Sequence, residues 1–196
     1  MIAPMRTATL ALVAGTLVAL APLADAGPKK YHFELVTVAP KADLKPDLAK
    51  IVVPRIEGQV KKAFENHAQI VANFEGAPDP KTKADAYRAF MAKKGVTGSY
   101  TVRVDVSDAT EELVPVEGKP NTQRLVVHVE LHMLGEQIPA MTMGFAGDGH
   151  ATIKQDIGMK VRDRDREFAW DECAKLAVDD AIKESLKQLA APPKKK

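Results

Sequence analysis

The chain has 196 residues, of which 45% are hydrophobic and 28% are charged, and its formal net charge is +2 at pH 7. This length suits one domain with its own hydrophobic core. The near-neutral charge disfavours nucleic acids and anionic lipids as partners, because both select strongly basic surfaces. A single cysteine, Cys173, excludes an intramolecular disulfide, so packing must supply the stability.

The first 26 residues have the pattern of an export signal. A short basic start at Arg6 precedes an apolar run, and Ala24-Asp25-Ala26 supplies the small residues that signal peptidases recognise. The uninterrupted apolar part, 10–21, is too short to favour a membrane span. We therefore predict a signal peptide over 1–26 and a periplasmic or secreted location. Because Gly27 stands where a lipoprotein has its lipidated cysteine, we expect no stable membrane anchor after cleavage.

Hydrophobic periodicity predicts alternating strands and helices in the next part of the chain. Residues 31–38 alternate as a strand, and apolar residues three and four apart predict a helix over 47–67. Pro54 lies inside that helix, where proline is expected to kink it or to begin a new first turn. A short strand over 69–74 and a second helix over 82–94 follow.

The middle of the chain is rich in predicted strands. Alternating polar and apolar residues predict strands over 100–106, 125–133, 140–146 and, as an extension, 151–157. Residues 108–123 contain glycine, prolines and glutamates, and are predicted as a long exposed hairpin loop. Gly147-Asp148-Gly149 is predicted to bend the chain. One polar and one apolar face per strand indicates an antiparallel section with one face open or lightly covered.

The last element is an alanine-rich helix predicted over 166–189, with Phe168, Cys173 and Leu176 among its buried residues. Pro192 ends it, and residues 191–196 are predicted as a disordered basic tail. The element order is β-α-β-α-β-β-β-α. It predicts a single α/β (α+β) domain over 27–190, with one mixed sheet and helices packed mainly on one face.

This order, behind a signal peptide, resembles a family of bacterial envelope domains. It is similar to the amino-terminal domain of TolB and to the related domains of curli-secretion and penicillin-binding-protein-activator lipoproteins. The segments that carry the resemblance are KKGVTGSYTVRVDV (93–106), LVVHVELHMLGEQIPAMTMGFAGDG (125–149) and AWDECAKLAVDDAIKESLKQL (169–189).

The resemblance implies binding and assembly in the cell envelope rather than catalysis. We therefore expect a non-enzymatic interaction module without a cofactor, whose partner is an envelope protein or glycan. The chain departs from the lipoproteins of this family because Gly27 replaces the lipidated cysteine. The identity of the partner does not carry over, since a fold does not fix function.

An alternative function is metal binding by His128, Glu130 and His132, which share the polar face of one predicted strand. Successive residues on one face lie roughly 6.6 Å apart, so either neighbouring pair reaches one ion. The two histidines, about 13 Å apart, cannot both bind it without help from other elements. A half-exposed polar sheet face explains the same pattern without a metal.

Other chemistry-bearing residues have a simpler structural interpretation. Methionines 133, 141 and 143 suggest copper, but on strands they are more often core filler. Asp148 and His150 are the acid and base of a hydrolase hypothesis that has no nucleophile beside them. Cys173 lies among apolar residues at helical spacing, which predicts a buried thiol and not a reactive one.

The most unusual local run is the alternation of charge at the entry of the last helix. It comprises Arg162, Asp163, Arg164, Asp165 and Arg166. Alternating signs neutralise each other and suit a solvated helix start, where the acidic residues also favour the helix dipole. The functional alternative is a charged docking patch for a partner.

Overall fold

The computed structural model of the protein describes residues 28–191. The predicted signal peptide and nearly all of the predicted basic tail therefore lie outside the described residues. Within 28–191 the elements occur in the predicted order, β-α-β-α-β-β-β-α. No helix in this part of the chain is long and apolar enough to cross a membrane.

The elements are defined as follows. The helices are α1 (Pro46–Asn66), α2 (Ala84–Lys93) and α3 (Asp163–Ala190). The strands are β1 (Lys30–Pro40), β2 (Ile70–Val71), β3 (Val96–Pro115), β4 (Thr122–Ile138) and β5 (Thr142–Gly158).

The strands form one mixed sheet in the order β2-β1-β3-β4-β5. β1 pairs in parallel with β2 and β3, while β3, β4 and β5 form an antiparallel meander. Parallel neighbours need a crossover connection, which α1 and α2 provide. The structure thus confirms the predicted α+β class and the single mixed sheet.

α1 and α3 cover one face of the sheet, as predicted, and the main core lies beneath them. The fully buried side chains include Phe33 on β1, Val52 on α1 and Trp170 on α3. α2 packs on the other face, where its Tyr87 contacts the start of β3. Most of that second face, over β3–β5, carries no helix.

β5 is one continuous strand and not the two strands separated by a bend that the sequence predicts. Gly147 and Gly149 face α3, and a Cβ atom at either position would collide with it. At Gly149 the collision is with the carbonyl oxygen of Ala177. The glycines therefore let the helix approach the strand closely, which is why they occur inside a regular strand.

Side chains of α3 also reach over the outer edge of β5. The Gln188 side-chain oxygen accepts a hydrogen bond from the backbone N–H of Ala146 (3.1 Å), and its amide donates to the Ala146 carbonyl. Asp180 accepts a hydrogen bond from the N–H of His150 (3.4 Å). The last helix thus satisfies backbone groups that an edge strand ordinarily leaves open.

The predicted exposed loop over 108–123 is wrong. β3 continues to Pro115 and β4 begins at Thr122, so only a short turn separates them. A register shift between Val106 and Asp108 changes the alternation of faces, which hides the second half of β3 in the sequence.

Two further details of the helices bear on the predictions. α1 runs through Pro54 as one continuous helix, so no new helix begins there, and the kink at Pro54 stays a prediction. On α3, Phe168 (58% exposed) and Leu176 (41% exposed) point away from the core. The buried stripe contains Cys173, as predicted, and extends to Trp170, Ala174 and Val178.

Candidate functional site

The uncovered face of β3–β5 brings together the polar residues that the sequence marks on strand β4. The strand register places Asp105, His132 and Asp148 side by side, and Nδ1 of His132 is hydrogen-bonded to Oδ1 of Asp148 (2.6 Å). His128 makes its own bond, from Nδ1 to Oγ1 of Thr152 (2.9 Å). Each histidine is thus tied to strand β5 at a separate point.

This arrangement bears on the metal-binding hypothesis for His128, Glu130 and His132. Within residues 28–191, no three histidine, cysteine, aspartate or glutamate side chains converge in a way that would hold a metal ion. The cross-strand partners of the two histidines occupy one ring nitrogen of each. The structure therefore offers no observation that favours a metal centre over a polar sheet face.

A groove of about 310 Å³ with both apolar and polar walls lies on the same face, towards β1. Its apolar side chains are Val36, Leu134 and Met143, and its polar ones are Thr101, Arg103 and Glu136. Val36 is 58% and Met143 is 68% exposed. The prediction of core-filling methionines is correct for Met133, which is fully buried. It is wrong for methionines 141 and 143, which lie at the surface.

A buried polar network, which sequence reasoning did not identify, lies at the end of this face that α2 covers. Oγ of Ser99 lies 2.7 Å from Nδ1 of His32 and 2.7 Å from the hydroxyl of Tyr87. The imidazole of His32 stacks on Phe74, with 4.4 Å between ring centroids. Burial lowers the pKa of His32 to about 4, so this imidazole is neutral near pH 7.

Although Ser99 is hydrogen-bonded to a histidine, its hydroxyl is not accessible enough to act as a nucleophile. Ser99 has no exposed surface, and Tyr87 is also buried above it. A substrate carbonyl would need to reach Oγ through that packing. The network therefore holds β1, β3 and α2 together, and His32 and Tyr87 border a cleft at the surface, whereas Ser99 does not.

Part of the predicted docking patch is bound within the protein itself. Arg162 donates two hydrogen bonds, of 2.7 and 3.0 Å, to the carboxylate of Asp165, which is buried. These hydrogen bonds hold the pKa of Asp165 below its usual range. Arg166 donates to Glu111 on β3 (2.8 Å). Among the five residues of the run, Asp163 and Arg164 lie at the exposed helix entry.

The other candidates from the sequence are separated in the structure. Asp148 and His150 lie two residues apart on β5, where Asp148 bonds to His132 and His150 lies near Asp180 (3.4 Å). Cys173 is buried, as predicted, and burial raises the pKa of its thiol to about 11. Such a thiol is not a nucleophile at neutral pH.

The sequence matches no family model and no curated protein. Among solved structures, it is similar to a protein from Xanthomonas campestris (10% identity, TM-score 0.49, 85% of this chain and 90% of that one). It is also similar to a hypothetical protein from Chlamydia trachomatis (7% identity, TM-score 0.44, 83% of this chain and 99% of that one). A third similar structure is the rare lipoprotein B from Shewanella oneidensis (13% identity, TM-score 0.36, 76% of this chain and 91% of that one). At these values the similarities assign no function to the chain, and the resemblance to TolB stays a prediction.

Proposed function

We propose that this chain is a non-enzymatic interaction module of the bacterial cell envelope, which binds a partner protein through the uncovered face of its sheet. The predicted export signal over 1–26 supports its action outside the cytoplasm. The observation that carries the proposal is the open groove beside β1, in which the apolar side chains of Val36 and Met143 are exposed to solvent.

The dimensions of the face suit a protein interface. β4 and β5 each contain 17 residues and β3 contains 20. At roughly 3.3 Å per residue and 4.8 Å per strand, the three strands present about 55 by 14 Å. That is close to the ~800 Å² that each partner contributes to a standard interface.

The composition of the groove favours a protein over a glycan. Methionine and arginine are enriched in the buried centres of protein interfaces, and Met143 and Arg103 both line the groove. The exposed apolar residues around it are aliphatic. The row of Asp105, His132 and Asp148 supplies a polar border to the apolar centre, as interfaces have.

The burial of Ser99 supports the non-enzymatic part of the proposal. The serine–histidine pair has residue types found in hydrolytic sites, but Ser99 has no exposed surface, so substrate has no access to its hydroxyl.

The proposal is tested by photo-crosslinking in the bacterium that makes the protein. A photoreactive amino acid at position 143 should give a crosslinked protein partner. The same residue at Lys62, exposed on α1 on the other side of the molecule, should not. Adding Val36→Asp should remove most of the adduct from position 143, because it replaces an exposed apolar contact of the groove with a charged group that is costly to bury under a partner.

Two results would contradict the proposal. Equal adducts from positions 143 and 62 would show contact without a preferred face. Retention on purified cell-wall glycan that is unaffected by Val36→Asp, with no protein adduct, would instead assign a glycan partner. Because Val36 is mostly exposed, unchanged thermal unfolding of Val36→Asp should verify that the variant is folded.

A further inference from the structure

A second cleft, of about 320 Å³, lies between the loop 72–80 and the ends of β1 and β4. It is separate from the groove of the proposed partner site, and none of the residues that line the one lines the other. Its walls include Phe74, Pro78 and Ile138, and its polar residues include His32 and Glu34. This volume is at the lower end of the range found for small-molecule sites.

The hydrogen-bond network beneath the cleft fixes the proton on His32. Tyr87 and Ser99 each have one hydroxyl proton, and the only bond of the Tyr87 hydroxyl within the described chain is to Ser99. A phenolic hydroxyl is more acidic than an aliphatic one and is the stronger donor, so Tyr87 donates to Ser99 and Ser99 donates to Nδ1 of His32. The neutral imidazole then has its proton on Nε2.

That Nε2–H has no hydrogen-bond partner among residues 28–191, and Nε2 is not one of the buried unpartnered polar atoms there, although His32 as a whole is only 5% exposed. A solvent molecule or a ligand can therefore reach this donor. Because His32 lines the cleft, an acceptor group placed there satisfies this donor.

Glu34 supplies the complementary group. It follows His32 by two positions on β1 and therefore lies on the same face of the strand. Its carboxylate has no ion pair or side-chain hydrogen bond within the described residues. Burial raises the pKa of Tyr87, and the charge of Glu34 raises it further, which places this charge close to the network.

The other two acidic residues of the cleft are already engaged. Asp79 accepts hydrogen bonds from the N–H of Lys81 and the hydroxyl of Thr82, both at 2.9 Å. Glu75 accepts one from the side-chain amide of Asn73 (3.2 Å). No lysine or arginine lines the cleft. Its lining is therefore negative, with Glu34 as the free carboxylate.

We propose that this cleft binds a small organic cation: a protonated amine on an apolar body that also carries a hydrogen-bond acceptor. The ammonium group pairs with Glu34, the acceptor takes the Nε2–H of His32, and the body lies against Phe74, Pro78 and Ile138. This site is independent of the partner surface proposed above.

The test is a titration followed by protein NMR, with phenylalaninol as the probe. N-acetylphenylalaninol, which has the same body and hydroxyl but no charge, is the matched compound. Phenylalaninol should cause saturable shifts confined to 32–34, 72–80 and Tyr87, and the Nε2 resonance of His32 should follow the same curve. The acetylated compound should bind at least about tenfold more weakly, since a charged hydrogen bond is lost.

Glu34→Gln should weaken binding of phenylalaninol about tenfold, while Glu112→Gln, an exposed glutamate on the far end of β3, should leave it unchanged. The proposal is overturned if phenylalaninol causes no saturable shifts, or if the acetylated compound binds equally well. It is also overturned if Glu34→Gln binds like the wild type, or if the ring resonances of His32 do not move. Each result leaves the crosslinking test of the partner surface unaffected.

Discussion

The buried imidazole of His32 should make the protein lose stability in mild acid. Its pKa is lowered from 6.5 to about 4 in the folded protein because burial disfavours the charged form. Between these values the unfolded chain binds more protons than the folded one, so stability rises with pH in this window. The stability that comes from keeping His32 neutral is fully present above pH 6.5 and is lost as the pH falls towards 4.

The size of the effect follows from the shift. Each pKa unit corresponds to 1.36 kcal/mol, so the full loss is about 3 kcal/mol, of which about 2 kcal/mol is lost by pH 5. The assay is urea unfolding at intervals from pH 7 to pH 5. This range stays above the region in which carboxylates with lowered pKa values, such as that of Asp165, take up protons.

The variant His32→Asn isolates this term, because the asparagine side-chain oxygen can accept the Ser99 hydrogen bond in place of Nδ1 but does not titrate. It should be less stable than the wild type at pH 7, since the stacking on Phe74 is lost. Between pH 7 and pH 5, the free energy of unfolding of this variant should also fall by about 2 kcal/mol less than that of the wild type. His150→Gln, which removes a mostly exposed imidazole, should keep most of the wild-type loss. Identical pH slopes for wild type and His32→Asn would refute the reasoning.

Three further predictions concern packing around α3. Gly149→Ala should destabilise the protein by about 1–3 kcal/mol in urea unfolding, because the added Cβ collides with the backbone of α3. Gly158→Ala, which has open space around it, should leave the stability nearly unchanged. Equal effects of the two substitutions would refute the role of close approach between β5 and α3. Glu111→Ala should lower the free energy of unfolding by about 1–3 kcal/mol, because it leaves the buried indole N–H of Trp170 without its acceptor (2.8 Å). Glu111→Gln keeps an acceptor oxygen and should lower it less. The opposite order would count against a stabilising role for this hydrogen bond. Cys173 should resist thiol-labelling reagents at pH 8 in the native protein and react fully in urea, and rapid native labelling would show that the thiol is accessible.

The order of elements was predictable from the sequence because each helix and strand buries one regular stripe. The boundary errors occurred where another force overrides local propensity. Residues 108–115 contain acidic side chains and follow a register shift, so their alternation does not read as a strand.

The candidate sites were less predictable, because contacts between distant segments create them. His32, Tyr87 and Ser99 are separated along the chain and meet only when β1 pairs with β3 and α2 returns over their ends. No spacing in the sequence indicates that meeting. Conversely, His128 and His132 share a strand face as predicted, but their partners lie on β5, which the sequence pattern of β4 does not reveal.

The hydrogen bonds from Asp180 and Gln188 to β5 have a consequence for self-association. An unpaired outer strand invites another chain to extend the sheet, which leads to oligomers or fibres. Here the helix occupies the docking positions at Ala146 and His150, and the opposite margin of the sheet is a strand of only two residues. This arrangement disfavours growth of the sheet by added strands, while the face of β3–β5 that carries no helix stays open to solvent.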